Sequence, residues 1–164
     1  QRSDPRDPDV EHVPLDTLLQ QADVIVVTCP LTPETHHLLD ERRLGLSKAS
    51  ALLVNVSRGP IVDQQALTAA LAEGRLAGAG LDVFEQEPVD VADPILTAPG
   101  FVGAPHALGY WDELFRRCVD DACSAILDVA AGRVPRDVAN LEVLESPLFT
   151  EKLDRLAART GGSP

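Results

Sequence analysis

Four side chains of the sequence, Arg58, Asp82, Glu87 and His106, are of the types that together can reduce a 2-oxo acid. A planar guanidinium holds a carboxylate in bidentate fashion while favouring negative charge on the neighbouring carbonyl oxygen. An imidazole titrating near neutrality can give that oxygen its proton as hydride arrives, and a carboxylate beside the ring raises its pKa and fixes its tautomer. The hydride itself must come from a cofactor. Taken singly, each residue has a plainer reading. Arg58 alone would be a surface or helix-capping arginine, Glu87 before Pro88 a loop acid, and His106 after Pro105 a structural loop histidine. Only their placement joins them.

That placement follows from the apolar pattern. Leu15, Leu18 and Leu19 have helical spacing within residues 10–22 and predict a short helix ending near Asp23. Residues 24–27, Val-Ile-Val-Val, are continuously apolar, as in a parallel strand buried on both faces. Thr28-Cys29-Pro30 follow it. Thr32-Pro33-Glu34 combine a capping residue, a first-turn proline and an acid, and predict a helix carrying Leu38 and Leu39. Residues 51–56 read as a second strand, with Ser57-Arg58-Gly59 beyond its end. Asp63 then caps a helix presenting Ala66, Leu67, Ala70 and Leu71 on one face, stopped by Gly74.

Residues 76–83 form a third strand so rich in glycine and alanine that another backbone or a ligand should lie against it. Asp82 stands at its end. Pro88, Pro94 and Pro99 keep residues 85–100 as a loop, and a short strand over 101–103 leads into Pro105-His106. A long helix is predicted over 111–131, with Leu114, Phe115, Cys118, Val119, Ala122, Ile126, Leu127 and Ala130 on its apolar side and Gly132 ending it. Ser146-Pro147 starts a last helix. Strands alternating with helices predict an α/β fold with a parallel sheet, in which ligands bind at the carboxyl ends of the strands. All four candidate residues then converge on one sheet edge.

The chain has 164 residues, 14 of them basic and 26 acidic, a net charge of −12 without any basic cluster to neutralise phosphates. Nucleic acid is therefore not an expected partner, and the acidic excess reads as a solvated surface. No run reaches the roughly 18–20 apolar residues of a membrane span, and the opening residues lack a signal-peptide core. The 3 cysteines, Cys29, Cys118 and Cys123, suit free thiols in a reducing compartment, so a soluble cytoplasmic protein is expected. Cys29 reads as a small packed residue. His36 and His37, being adjacent, cannot share a helix face as metal ligands; they read as partly exposed helix residues, and no metal site is expected. The sequence has no methionine, which suggests a segment of something longer.

Quoted together, Cys29-Pro-Leu-Thr-Pro-Glu-Thr35, Asn55-Val-Ser-Arg-Gly59 with Asp63, Gly80-Leu-Asp-Val-Phe84 with Glu87-Pro88, and Pro105-His106 resemble the successive signatures of the D-isomer-specific 2-hydroxyacid dehydrogenases, in order, from about Asp4 to Asn140. The resemblance implies that Arg58 binds substrate, His106 is the acid/base and Glu87 is its paired carboxylate. It implies further that Asp82 holds the nicotinamide carboxamide, and that Cys29, Pro30, Thr35, Val56 and Ser57 line the adenosine and nicotinamide pockets. Leu108 and Gly109 would follow at the cofactor's edge. Where the family continues its histidine motif with an Ile-Gly-Gly type run, this chain has Ala107-Leu108-Gly109-Tyr110-Trp111, so the wall beside nicotinamide and substrate differs.

No G-x-G-x-x-G phosphate loop is present. The resemblance therefore implies half of a doubly wound, Rossmann-type dinucleotide-binding domain with C-terminal helices. Residues 1–107 would be the C-terminal part of the NAD(P) domain, and 108–164 helices that pack toward an absent substrate domain. Arg2 and Ser3 lean toward NADP, because an arginine and a serine can accept a 2′-phosphate, whereas Asp4 in register would favour NAD. The expected reaction is hydride transfer between NAD or NADP and a small 2-oxo acid of the glyoxylate or hydroxypyruvate type, in a parent that is a homodimer, with the segment alone inactive. Two alternatives stay open. One is a cofactor-sensing binding protein of the same fold, like the C-terminal binding protein corepressors. The other is phosphite dehydrogenase chemistry; formate dehydrogenases place glutamine where Glu87 stands.

Overall fold

In the computed structural model, residues 10–160 are described, and they divide into two compact units, one reaching Leu108 and the other starting at Gly109. Arg2, Ser3 and Asp4 lie outside the described residues.

The first unit is built on a four-stranded parallel sheet in the order β1 (Val24–Val27), β2 (Leu52–Asn55), β3 (Gly78–Leu81) and β4 (Phe101–Gly103). Val24 pairs with Leu52, Leu52 with Gly78 and Ala79 with Phe101. Because all strands run the same way and in chain order, every carboxyl end lies on one edge. α1 (Leu15–Gln21) precedes β1, and the connections include α2 (Glu41–Leu44) and α3 (Gln64–Ala72). The Asp63 side chain accepts the Ala66 N–H to cap α3, and Gly74 ends that segment at φ +68°. Asp40 caps α2 in the same manner through Arg43 N.

The core lies on one side of the sheet, where Ile25, Val27, Leu53, Ala79 and Leu81 meet Leu19, Leu44, Leu67, Ala70, Leu71 and Ile95. Burying these apolar side chains is worth roughly 1.5–3 kcal/mol for each large one. The expectation of strands buried on both faces is corrected here. Val24 and Val26 are each 54% exposed and Val102 is 72% exposed, so β1 alternates between covered and open residues. An apolar strand composition reports what a face is suited to meet, not what meets it.

A second correction concerns the segment after β1. The Thr32 carbonyl begins a single turn, accepting the Thr35 and His36 N–H groups, but no helix forms over residues 33–39. His37 takes φ +47°, and Leu39 instead pairs with Val62 in a parallel bridge. The His37 and Leu39 N–H groups donate to the Pro60 and Ile61 carbonyls rather than continuing a helix, while the Leu38 N–H closes the turn on the Thr35 carbonyl. His36 and His37 are therefore loop residues, not helix residues. The glycine-rich β3 has its expected neighbour: a Cβ at Gly78 would stand 2.7 Å from the Gly100 carbonyl oxygen, so only glycine admits that backbone.

The second unit holds α4 (Asp112–Ala130), a 3₁₀ turn at Leu141–Glu145 and α5 (Pro147–Thr160). Gly132, at φ +72°, follows α4 as the pattern predicts. Its apolar stripe keeps helical spacing, yet no α4 residue is buried; Phe115, Val119, Ile126 and Leu127 stay exposed, as do Cys118 and Cys123.

Candidate functional site

The loops beyond β1, β2, β3 and β4 carry the candidate residues. After β2, the buried Asn55 organises the chain: its Oδ1 accepts the Ser57 N–H at 3.0 Å and its Nδ2 donates to the Arg58 carbonyl at 2.9 Å. Ser57 Oγ donates to the Cys29 carbonyl, tying this loop to the one after β1. Across from it, Thr35 Oγ1 donates to the Pro30 carbonyl at 2.8 Å and accepts the Thr32 N–H at 2.7 Å, which shapes the 30–35 turn. Cys29 packs against the core, as a small packed residue would. Thr28, Pro30, Leu31, Ser57 and Arg58 line an open cleft of about 600 Å³ between these two strand ends. Val56 is exposed beside this loop.

Arg58 is exposed, and its Nη1 donates to the Ser57 carbonyl at 2.7 Å, so the guanidinium is turned back over its own loop. The following Gly59 lies against the chain beyond β3: a Cβ there would fall 1.9 Å from the Phe84 carbonyl oxygen. That contact brings the arginine loop and the glutamate loop together.

Glu87 accepts the Phe84 N–H on Oε1 at 2.9 Å, and its Oε2 stands 2.8 Å from His106 Nδ1. Hydrogen bonding from His106, then from the Phe84 N–H, and after these the charges of His106 and Arg58, hold the Glu87 carboxyl below the usual glutamate range against the opposing effect of burial. An ionised carboxylate only accepts, so Nδ1 must carry a proton. In the neutral ring Nε2 is then the unprotonated nitrogen, able to accept a proton on the side away from Glu87.

Asp82, only 6% exposed, closes the arrangement. Its Oδ1 accepts the Ala107 N–H at 2.8 Å and the Leu108 N–H at 3.3 Å, and its Oδ2 lies 3.2 Å from the same Leu108 nitrogen. These bonds hold the backbone just after His106, which itself sits at φ +54°. A non-glycine residue in that region costs energy and is kept there by surrounding contacts. Leu108 is exposed, and Gly109 is the first residue of the second unit.

The structure thus brings Glu87 and His106 into direct contact, sets Asp82 beneath the His106 turn, and places Arg58 within electrostatic reach of Glu87. Asn55 and Gly59 were not singled out in the sequence for these roles. The signal for Asn55 was a polar residue ending an apolar strand. The close approach at Gly59 had no local signal. A second histidine–carboxylate contact, His37 Nε2 to Glu85 Oε1 at 2.8 Å, was also missed.

Residues 1–107 match the family model described as "D-isomer specific 2-hydroxyacid dehydrogenase, NAD binding domain". The chain belongs to this family. Among these dehydrogenases and their relatives it is similar to a glyoxylate reductase of Korarchaeum cryptofilum (strain OPF8), 44% identical over 136 residues, covering 83% of this chain and 41% of that protein. A glyoxylate/hydroxypyruvate reductase B of Enterobacter agglomerans is 41% identical over 134 residues, covering 82% and 42%. The D-isomer specific 2-hydroxyacid dehydrogenase from Lactobacillus delbrueckii ssp. bulgaricus, solved in its NAD complexed form, superposes with a TM-score of 0.77 at 30% identity, covering 84% of this chain and 46% of that one. The chain spans about two fifths of the length of these curated relatives, 41% and 42%. No helix among the described residues is long and apolar enough to cross a membrane.

Proposed function

We propose that this 2-hydroxyacid dehydrogenase chain serves an oxidoreductase that interconverts a small 2-oxo acid, of the glyoxylate or hydroxypyruvate type, and its D-2-hydroxy acid. The observation that carries the reading is the 2.8 Å contact between Glu87 Oε2 and His106 Nδ1. It leaves Nε2 as the one ring nitrogen able to pass a proton to a substrate oxygen. In reduction, His106 starts protonated on both nitrogens, gives up the Nε2 proton and keeps its Nδ1 proton hydrogen-bonded to Glu87; in oxidation Nε2 takes the proton back. Arg58, with its flat five-donor fork, clamps the substrate carboxylate and favours negative charge on the carbonyl oxygen.

The cleft beside Pro30, Leu31, Ser57 and Arg58 fits a nicotinamide dinucleotide: its rim combines the ring of Pro30 and the Leu31 side chain with polar loop groups. When bound, that cofactor supplies or accepts the hydride. Cys29, Pro30, Thr35, Val56 and Ser57 would hold it at the ends of β1 and β2, and Leu108 and Gly109 near its edge. The unoccupied acceptor capacity of Asp82 Oδ2 would take its carboxamide. Arg2 and Ser3 lean the preference toward NADP over NAD. Residues 1–107 are read as the C-terminal part of the cofactor domain and 108–164 as helices that return toward a substrate domain, within a cytoplasmic homodimer.

The test is turnover of glyoxylate and hydroxypyruvate with NADH and with NADPH, by a polypeptide that carries this chain at its relatives' full length. His106→Ala should lower kcat by roughly 10²–10⁴-fold with little change in cofactor affinity. Equal turnover in the variant would overturn the assignment. The 164 residues alone, without a glycine-rich phosphate loop, should give no turnover; cofactor-dependent rates from them would refute that part.

A further inference from the structure

Two residues before Glu87, a second histidine meets a second carboxylate. His37 Nε2 lies 2.8 Å from Glu85 Oε1, and the same oxygen accepts the Gln64 N–H at 3.0 Å. Gln64 Oε1 in turn accepts the Glu85 N–H at 3.2 Å, and Gln64 Nε2 donates to Asp93 Oδ2 at 2.8 Å. Since a carboxylate cannot donate, His37 must carry its proton on Nε2. Asp63 Oδ2 stands 4.0 Å from His37 Nδ1, and the His36 ring stacks on it with centroids 4.2 Å apart.

These contacts join three stretches of chain. His37 is fastened to the 60–63 segment by its own N–H, which donates to the Pro60 carbonyl at 2.8 Å. Gln64 is the first residue of α3, where a carboxylate also meets the favourable end of the helix dipole. Glu85 and Asp93 bracket the loop that contains Glu87. Phe84, whose N–H holds Glu87 Oε1, immediately precedes the anchored Glu85 and is wedged against Gly59.

We propose that Glu85, gripped by His37 and Gln64, is a positioning residue that holds the Phe84–Glu87 turn so that Glu87 meets His106. The inference rests on the reading of Glu87 and His106 as the acid/base pair. The clamp lies at the surface, with the His37 and Glu85 side chains 38% and 34% exposed, and pairs of that kind add little to global stability. What it supplies is a fixed position for residue 85, between the Phe84 N–H that holds Glu87 and the Glu87 carboxyl that meets His106. An amide oxygen at position 85 could still accept both bonds, whereas a methyl group could accept neither.

The experiment is a carbon-detected NMR titration of the Glu87 carboxyl in the full chain, without substrate or cofactor, in wild type, Glu85→Ala, Glu85→Gln and His37→Leu. Glu85→Ala should move the Glu87 midpoint up toward the ordinary glutamate value and speed amide exchange at Phe84, while Glu85→Gln restores both. His37→Leu removes one donor from an exposed site, so it keeps the test open if Glu85→Ala does not fold; it should move Glu87 in the same direction by less. An unchanged Glu87 midpoint in folded Glu85→Ala, or in His37→Leu where the alanine variant fails to fold, overturns the proposal. A shifted midpoint in all but the glutamine variant supports it. Because no turnover is read, failure of the clamp is distinguishable from failure of the dehydrogenase reading, which would appear only as absent catalysis.

Discussion

Asp82 and Ala107 are joined by a 2.8 Å hydrogen bond from the Ala107 N–H to a carboxylate that is almost wholly buried. The residue just after β3 therefore sets the path of the chain just past His106, 25 residues later. Family resemblance implies a cofactor contact for Asp82; the structure adds the job of supporting the His106 turn.

Asp82→Asn tests that support. The amide keeps the shape but turns a donor toward one of the two backbone N–H groups, leaving a buried polar mismatch worth about 1–3 kcal/mol. Urea unfolding should show that loss, and amide exchange at Ala107 and Leu108 should quicken. Unchanged exchange at both would show that the carboxylate is not what holds the turn.

The depressed Glu87 carboxyl makes a pH prediction whose sign is determined. A carboxyl whose folded pKa lies below its unfolded one stabilises the fold above the unfolded value, and that contribution disappears as pH falls through the folded value. Glu87→Gln has no such titration. The stability gap between wild type and this variant, measured by denaturant unfolding, should shrink as pH falls across and below the ordinary glutamate range. A gap that widens across that glutamate range would contradict the His106 and Phe84 hydrogen bonds as its cause.

Gly59→Ala places a Cβ against the backbone at Phe84, which cannot yield as a flexible side chain would. Overpacking of this kind costs roughly 1–3 kcal/mol. Lower thermal stability is expected, together with a disturbed Glu87 resonance, since the displaced residue donates to Glu87. Wild-type stability in the variant would show that the two loops separate freely.

Arg58→Lys keeps the charge but loses the two-pronged geometry. In an active full-length protein it should raise KM for the oxo acid and lower kcat/KM by at least about tenfold while leaving cofactor affinity nearly intact. Matching kinetics would remove Arg58 as the carboxylate clamp.

Local chemistry made much of this molecule readable in advance. Asp63 and Gly74 bound α3 because a side-chain cap and a left-handed glycine act within a few residues, and the strands announced themselves through apolar runs between turn formers. The order of residues after each strand was enough to nominate Arg58, Asp82, Glu87 and His106. A parallel sheet puts consecutive strand ends on one edge, whatever the details of packing.

What the tertiary structure alone decided are the contacts between segments distant in sequence. The Thr32-Pro33-Glu34 start signal opens only one turn, because Leu39 gains a bridge to Val62 that no neighbouring residue advertises. His37 reaches Glu85 across 48 positions, Gly59 is pressed on Phe84, and Ser57 finds the Cys29 carbonyl. Whether a strand's second face is covered is likewise settled by what folds over it, as the exposed Val24 and Val26 show. Residue types and near-neighbour spacing set propensities and caps, whereas hydrogen bonds between loops depend on where the whole sheet carries them.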